Sequence, residues 1–171
     1  ILKRVKPDVV HANNIHYYLS YHSLKIAKKY AKVVITFRDA MSFNFGKLMT
    51  ERYLKSFDAH LTWFDHLKQA KKRWNPLRNI IIKHYLGYVD KKFAVSYALK
   101  KALEQNGVHN VEVLHTGVLA TEWSVPQDSI DRFKAEHSLI NKKVVLLSGR
   151  LSAAKGENVT QEAMIKVLEE I

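Results

Sequence analysis

Four short runs, mostly apolar, most constrain the fold of this chain: Asp8-Val9-Val10-His11-Ala12, Val33-Val34-Ile35-Thr36-Phe37, Lys92-Phe93-Ala94-Val95 and Val111-Glu112-Val113-Leu114. Each is too short to be a helix and too apolar to be a loop. The first opens after Pro7, which permits the start of a strand but not its middle. Between the first two, Leu19, Leu24, Ile26, Ala27 and Tyr30 fall near helical spacing, with Lys25, Lys28 and Lys29 as a solvated face, predicting a helix over 17–30. Between the last two, Ser96 stands as an N-cap, residues 97–106 read as a helix, and Gly107 ends it. Strand, helix and strand with short connections make βαβ units. Their apolar strands suit a parallel sheet with helices on both faces, an α/β, doubly wound, Rossmann-like architecture.

The stretch Gly46 to Gly87 interrupts this alternation, with helices predicted over 47–57 and 67–74 and an apolar segment at Ile80–Ile82. Residues 130–137 read as a charged surface helix, and Lys143 opens a new apolar run, Val144-Val145-Leu146-Leu147, expected to be a strand. That change places a domain boundary near Asn141: residues 1–141 form one α/β domain, and 142–171 begin a second with a strand, a loop and a helix from about Glu157. The chain opens on Ile1 rather than Met, and the first strand follows at once, so it reads as a piece of a longer protein.

Composition narrows the chemistry. Among 171 residues there is no cysteine, which removes disulfides and thiolate metal sites, and no run approaches the roughly 20 apolar residues of a membrane span. The formal charge of +12 is uneven: residues 1–101 hold 21 Lys and Arg against 6 Asp and Glu, and residues 102–171 hold 7 against 10. A positive field of this kind draws anionic partners, whether lipid head groups, nucleic acid or phosphorylated substrates. Nucleic acid is not the expected partner, because the aromatics Trp63, Trp74, Tyr85 and Tyr88 lie in the insert without the interleaving a base-stacking face needs.

The loop Ser148-Gly149-Arg150-Leu151-Ser152-Ala153-Ala154-Lys155-Gly156 follows the last apolar run and precedes a helix. Ligands of open α/β sheets bind at that edge, where helix N–H groups favour an anion. Gly149 and Gly156 allow tight backbone, Arg150 suits bidentate contact with phosphate oxygens, and Lys155 adds a mobile charge. The glycine spacing fits neither a P-loop nor the dinucleotide fingerprint, so on spacing alone a diphosphate site and an ordinary loop with two surface cations both remain open.

The run VVLLSGRLSAAKGENVTQEAMIKVL resembles the start of the nucleotide-binding domain of GT-B glycosyltransferases of family 4, also called group 1. KPDVVHANN, AKVVITFRDA and VDKKFAVSYALKKALEQNGVHNVEVLHTGV resemble, in that order, the second half of the same family's acceptor domain. The resemblance leaves out the Gly46–Gly87 insert. It implies two Rossmann-like domains facing a cleft, and transfer of a sugar from a nucleotide-sugar donor to a sugar or lipid-linked acceptor. It further implies retention at the anomeric carbon and neither metal nor bound cofactor. It assigns Gly149, Arg150, Lys155 and Gly156 to the donor diphosphate, and Asp39 to the acidic position at the mouth of the cleft. Arg38 stands where the family usually has His, and a guanidinium cannot take up a proton near neutrality. Arg38 is left either to bind an acceptor phosphate or to pair with Asp39. His11 reads as a satisfied core histidine. Thr116-Gly117-Val118 stands at the family's domain crossing, with Leu119 departing from the pattern.

The resemblance also calls for a glycine-rich loop before Ile1 and a glutamate pair beyond Ile171, so this length of chain is expected to show no transfer by itself. Glu162 and Glu170 have the pair's spacing but read as a solvated helix face. A non-catalytic basic binding module and a catalytically degenerate relative remain the alternatives. The expected place is the cytoplasm, with peripheral contact at the inner face of the membrane left open. Lys68, Lys71, Lys72, Arg73 and Arg78 crowd around Trp74 beside Ile80–Ile82, and they read either as an anionic-membrane contact or as a solvated face with Trp74 and the isoleucines in the core.

Overall fold

A computed structural model describes residues 1–16, 19–149, 152 and 155–169. The chain divides into two compact units, Ile1–Val118 and Leu119–Ile171. This division lies ahead of Asn141 and counts the charged helix near residue 130 with the second unit.

In the first unit, β1 (Val9–Asn13), β2 (Lys32–Phe37), β3 (Lys91–Ala94) and β4 (Val111–Val113) form one sheet in the order β1-β2-β3-β4, every pair parallel. The register sets Ala12 beside Ile35, Phe37 beside Ala94 and Ala94 beside Val113. Strand side chains alternate between faces. Val33, Ile35, Phe37 and Ala94 therefore share the face that meets the core, and His11, Lys32, Lys91 and Glu112 share the other. The core continues into α2 (His22–Lys28) through Leu24 and Ala27, and into α6 (Tyr97–Gln105) through Ala102 and Leu103. A short α1 (Leu2–Val5) precedes β1. The α/β class with a parallel sheet flanked by helices is the one the sequence predicts.

Local chemistry explains the element ends. Ser96 Oγ accepts from Leu99 N (3.2 Å) and opens α6 as expected. Asp90, just before β3, accepts from Val33 N (2.8 Å) and pairs with Lys28, so one carboxylate ties β2, α2 and the entry to β3 together. Lys28 and that amide hold the Asp90 carboxyl below its ordinary range.

The insert departs from its expected boundaries. α3 (Glu51–Ser56) starts only after Thr50, whose hydroxyl accepts from Tyr53 N. α4 spans Trp63–Ala70 rather than 67–74, because Thr62 and Asp65 form a capping box that starts it earlier. Lys71, at φ 50°, ends it, and a single 3-10 turn, Lys71–Arg73, follows. Ile80–Ile82 belong to α5 (Arg78–Leu86), which buries Ile82 and leaves Ile80 and Ile81 exposed. The predicted helix over 17–30 is shorter, beginning at His22, and Tyr17 and Tyr18 lie outside the described residues.

The second unit holds a 3-10 turn, Ala120–Trp123, then α7 (Gln127–Glu136) and α8 (Glu157–Glu169). The strand expected from Lys143 does not form, and Val144 through Leu147 are exposed. A strand gains its hydrogen bonds from a neighbour, and the second unit has none among the described residues.

Candidate active site

β2 ends at Phe37, so Arg38 and Asp39 emerge at the carboxyl edge of the sheet, where open α/β folds bind ligands. Asp39 is fixed from two sides. Met41 N donates to its Oδ1 (2.9 Å), a local turn that sets the carboxylate's direction, and His16 Nε2 stands 3.3 Å from its Oδ2. His16 comes from the turn after β1, with 7% of its side chain exposed, against 42% for Asp39. The carboxylate thus keeps an open side while the imidazole backs it. Arg38 Nε donates to Asn13 Oδ1 (3.4 Å), at the end of β1. Among the described residues, the side chain that meets the Asp39 carboxylate is that of His16, and no ion pair joins Asp39 to Arg38.

Arg38 and Asp39 line a cavity of about 500 Å³ together with Gly46, Lys47, Tyr53 and Ser96. Its floor is the 40–48 loop, and the insert holds that loop in place. Arg78 of α5 donates to Met41 O and lies 4.7 Å over the Phe45 ring, while Asn79 donates to Phe43 O (2.8 Å). Burial pushes the Arg78 guanidinium below its ordinary value. Asn44, fully buried, donates to Gly46 O and Lys47 O. A loop turning back on itself leaves carbonyls without ladder partners, and these side chains supply them. Another cavity, of about 430 Å³, is lined by His16, Tyr21, Arg78, Ile82 and Tyr85. Burial raises the Tyr21 phenol to about 12, so it stays neutral there.

The sequence missed His16, Asn44 and Asn79, and it grouped Arg78 with the cations around Trp74, whereas Arg78 is half-buried and holds the 40–48 loop through Met41 O. His16 had one usable signal, its place in the loop after β1 at the ligand edge. Arg78 and Asn79 gave none for this role, because the carbonyls they meet, Met41 O and Phe43 O, are distant in sequence, whereas Asn44 closes a local turn onto Gly46 O and Lys47 O. His11, read as a core histidine, is exposed instead. Its Nε2 meets Thr36 Oγ1 at 2.8 Å and Asn13 Nδ2 at 3.4 Å, on the sheet face away from the core.

In the second unit, Gly149 and Gly156 take φ of 125° and 82°, values that a side chain disfavours. Lys155 is exposed one residue before Gly156, and Gly156 O accepts from both the amide and the hydroxyl of Thr160 in α8. Arg150 lies outside the described residues, as does Glu170. Glu162 is exposed on α8, and Thr116, Gly117 and Val118 are exposed after β4. Among the described residues, no group of three His, Asp or Glu side chains is placed to hold a metal, and no helix is long and apolar enough to cross a membrane.

The family model described as Glycosyltransferase Family 4 matches residues 1–121, a span that includes the whole sheet, Arg38, Asp39 and the insert. No curated protein and no solved structure matches. With a parallel α/β unit that presents a braced carboxylate at its ligand edge, and that match over most of its length, the chain belongs to Glycosyltransferase Family 4.

Proposed function

We propose that the chain supplies the acceptor side of a sugar transferase, with Asp39 receiving the acceptor hydroxyl at the carboxyl edge of β2. The observation that carries this reading is the braced, half-open carboxylate of Asp39 in a cavity that also presents Arg38 and Lys47. In the step proposed, the bond from the anomeric carbon to the donor diphosphate breaks, a bond to the acceptor oxygen forms on the same face, the hydroxyl proton passes to the Asp39 carboxylate, and the nucleoside diphosphate leaves. Asp39 orients the attacking hydroxyl, and His16 fixes the carboxylate and supplies at this cleft an imidazole that position 38 does not. Arg38 hydrogen-bonds Asn13 rather than pairing with Asp39, which favours its role as the contact for an anionic group on the acceptor.

On the donor side, Gly149, Arg150, Lys155 and Gly156 would hold the diphosphate of a nucleotide sugar, whose leaving charge their cations stabilise without a metal. The acceptor is a sugar or a lipid-linked sugar. Turnover is proposed for the enzyme that carries this sequence, and none for these 171 residues alone.

The test is Asp39→Asn in that enzyme, since an amide oxygen still accepts from Met41 N while the charge is lost. Transfer falls by about a hundredfold or more, the usual weight of a positioned acid–base group, with nucleoside-diphosphate affinity unchanged. Full transfer by Asp39→Asn would remove Asp39 from the chemistry.

A further inference from the structure

α4 is turned inside out. In α6 the pattern is the ordinary one, with Ala102 and Leu103 buried and Lys101 exposed. In α4 the side directed to the protein carries Asp65, His66, Gln69 and Ala70, while Trp63, Phe64 and Leu67 are 53%, 73% and 38% exposed. Burial holds the His66 imidazole below its ordinary value, as expected for the inward side. A helix normally gains its stability by burying the apolar stripe, so an outward stripe needs another reason.

The stripe is extended and ordered by its own contacts. Trp63 packs edge-on against Phe64 (ring centroids 5.0 Å apart) and against the half-buried Trp74 (5.6 Å), which returns past the end of the 3-10 turn. Around it stand Lys68, Lys71, Lys72 and Arg73, all exposed and none in an ion pair among the described residues. The only carboxylate of α4, Asp65, is turned onto the Thr62 hydroxyl and amide. The surface is therefore apolar at its centre and cationic at its rim.

We propose that this face of α4 docks on a bilayer surface containing anionic phospholipid, with Trp63, Phe64 and Leu67 in the interfacial layer and the four cations on the head groups. The inference stands on α4 and its flanks and does not depend on sugar transfer. Two features select lipid over other partners. The outward stripe is three side chains on one eight-residue helix, whereas a stable protein interface takes roughly 20–30 residues a side, and an amphipathic face with a cationic rim inserts in the head-group layer. The four cations, none of them ion-paired among the described residues, complement the charge of anionic head groups.

The experiment compares co-sedimentation of the whole chain with phosphatidylcholine vesicles and with vesicles also containing phosphatidylglycerol, and follows quenching of tryptophan emission by brominated acyl chains. Binding is expected only with the anionic lipid, with quenching. Lys68→Ser, Lys72→Ser and Arg73→Ser together weaken it by about a hundredfold, at roughly 1 kcal/mol per cation near an anionic surface. Phe64→Ser with Leu67→Ser weakens it by about tenfold or more and leaves circular dichroism unchanged, because neither side chain is in the core. Quenching of the unaltered protein needs no variant to fold. Equal pelleting with neutral vesicles, no pelleting, absence of quenching, or binding that survives the triple change would each overturn the proposal. So would self-association that requires Phe64, or RNA competing the vesicles away.

Discussion

Asn106 fastens the insert to the body of the first unit, and its truncation gives a quantitative test of that bracing. Its Nδ2 donates to Ala59 O and to Ala102 O, both at 2.8 Å, and its Oδ1 accepts from Leu61 N at 3.0 Å. Ala59 and Leu61 are buried, so Asn106→Ala leaves a carbonyl and an amide that the protein does not otherwise pair. Three hydrogen bonds at a net 0.5–1.5 kcal/mol each give about 1.5–4.5 kcal/mol, and unpaired buried groups push toward the upper part. Asn106 itself is half-buried, so water reaches part of the gap and pulls the value back to about 3 kcal/mol. For a unit of this size, that lowers the melting temperature by about 12 °C.

Thermal unfolding followed by circular dichroism reads the shift, and hydrogen exchange locates it. The Leu61 amide exchanges faster in Asn106→Ala, whereas the Ala59 amide keeps its own acceptor, Gln105 Oε1 at 3.0 Å. Asn106→Asp is the control. It is also destabilised, because a carboxylate faces the carbonyls of Ala59 and Ala102, but it still accepts from Leu61 N and keeps that amide protected. A melting shift below about 3 °C, or equal exchange at Leu61 in both variants, would show that the insert is held by apolar packing and not by this side chain.

Two further outcomes are expected. The Thr62 hydroxyl and amide hold the Asp65 carboxyl below its ordinary 3.8, so the stability it contributes is full above that value and lost as the pH falls below it; Asp65→Asn flattens that part of the acid limb in urea titrations, and an unchanged limb refutes the coupling. Lys155→Ala in the intact enzyme weakens nucleoside-diphosphate binding by about 1.5–3 kcal/mol in calorimetry, the weight of a charge-assisted contact, and unchanged affinity removes it from the donor site.

The sheet was legible because each strand satisfies its own rule: a short apolar run, a cap such as Ser96, a stop such as Gly107. Strand boundaries followed within a residue. The apolar run from Val144 shows the limit of that reading, since composition makes a strand available but only a paired neighbour makes it form. In the insert the caps decided. Thr62 and Asp65 carried the true start of α4, ahead of the start expected at Leu67. Position 38 was readable as a departure from the family pattern, but the imidazole that meets Asp39 arrives from the loop after β1, and no local spacing reports an approach across 23 residues.

The insert has two sides with opposite tasks, and their chemistry keeps them separate. Its inward contacts are directional: Arg78 and Asn79 take the carbonyls of Met41 and Phe43 beneath the cleft, and Asn106 and Gln105 receive Ala59 and Leu61 just ahead of α4. Hydrogen bonds of this kind fix position, and a shift of an ångström in the 40–48 loop would move Gly46 and Lys47 at the cavity wall. Its outward contacts, the Trp63, Phe64 and Leu67 stripe with its cations, are non-directional and tolerate the disorder of a fluid surface. A segment locked to the cleft on one side and adaptable on the other can meet a bilayer without transmitting its fluctuations to Asp39. That division accounts for why α4 leaves Trp63, Phe64 and Leu67 outside while Asp65, His66 and Gln69 lie on its half-buried side.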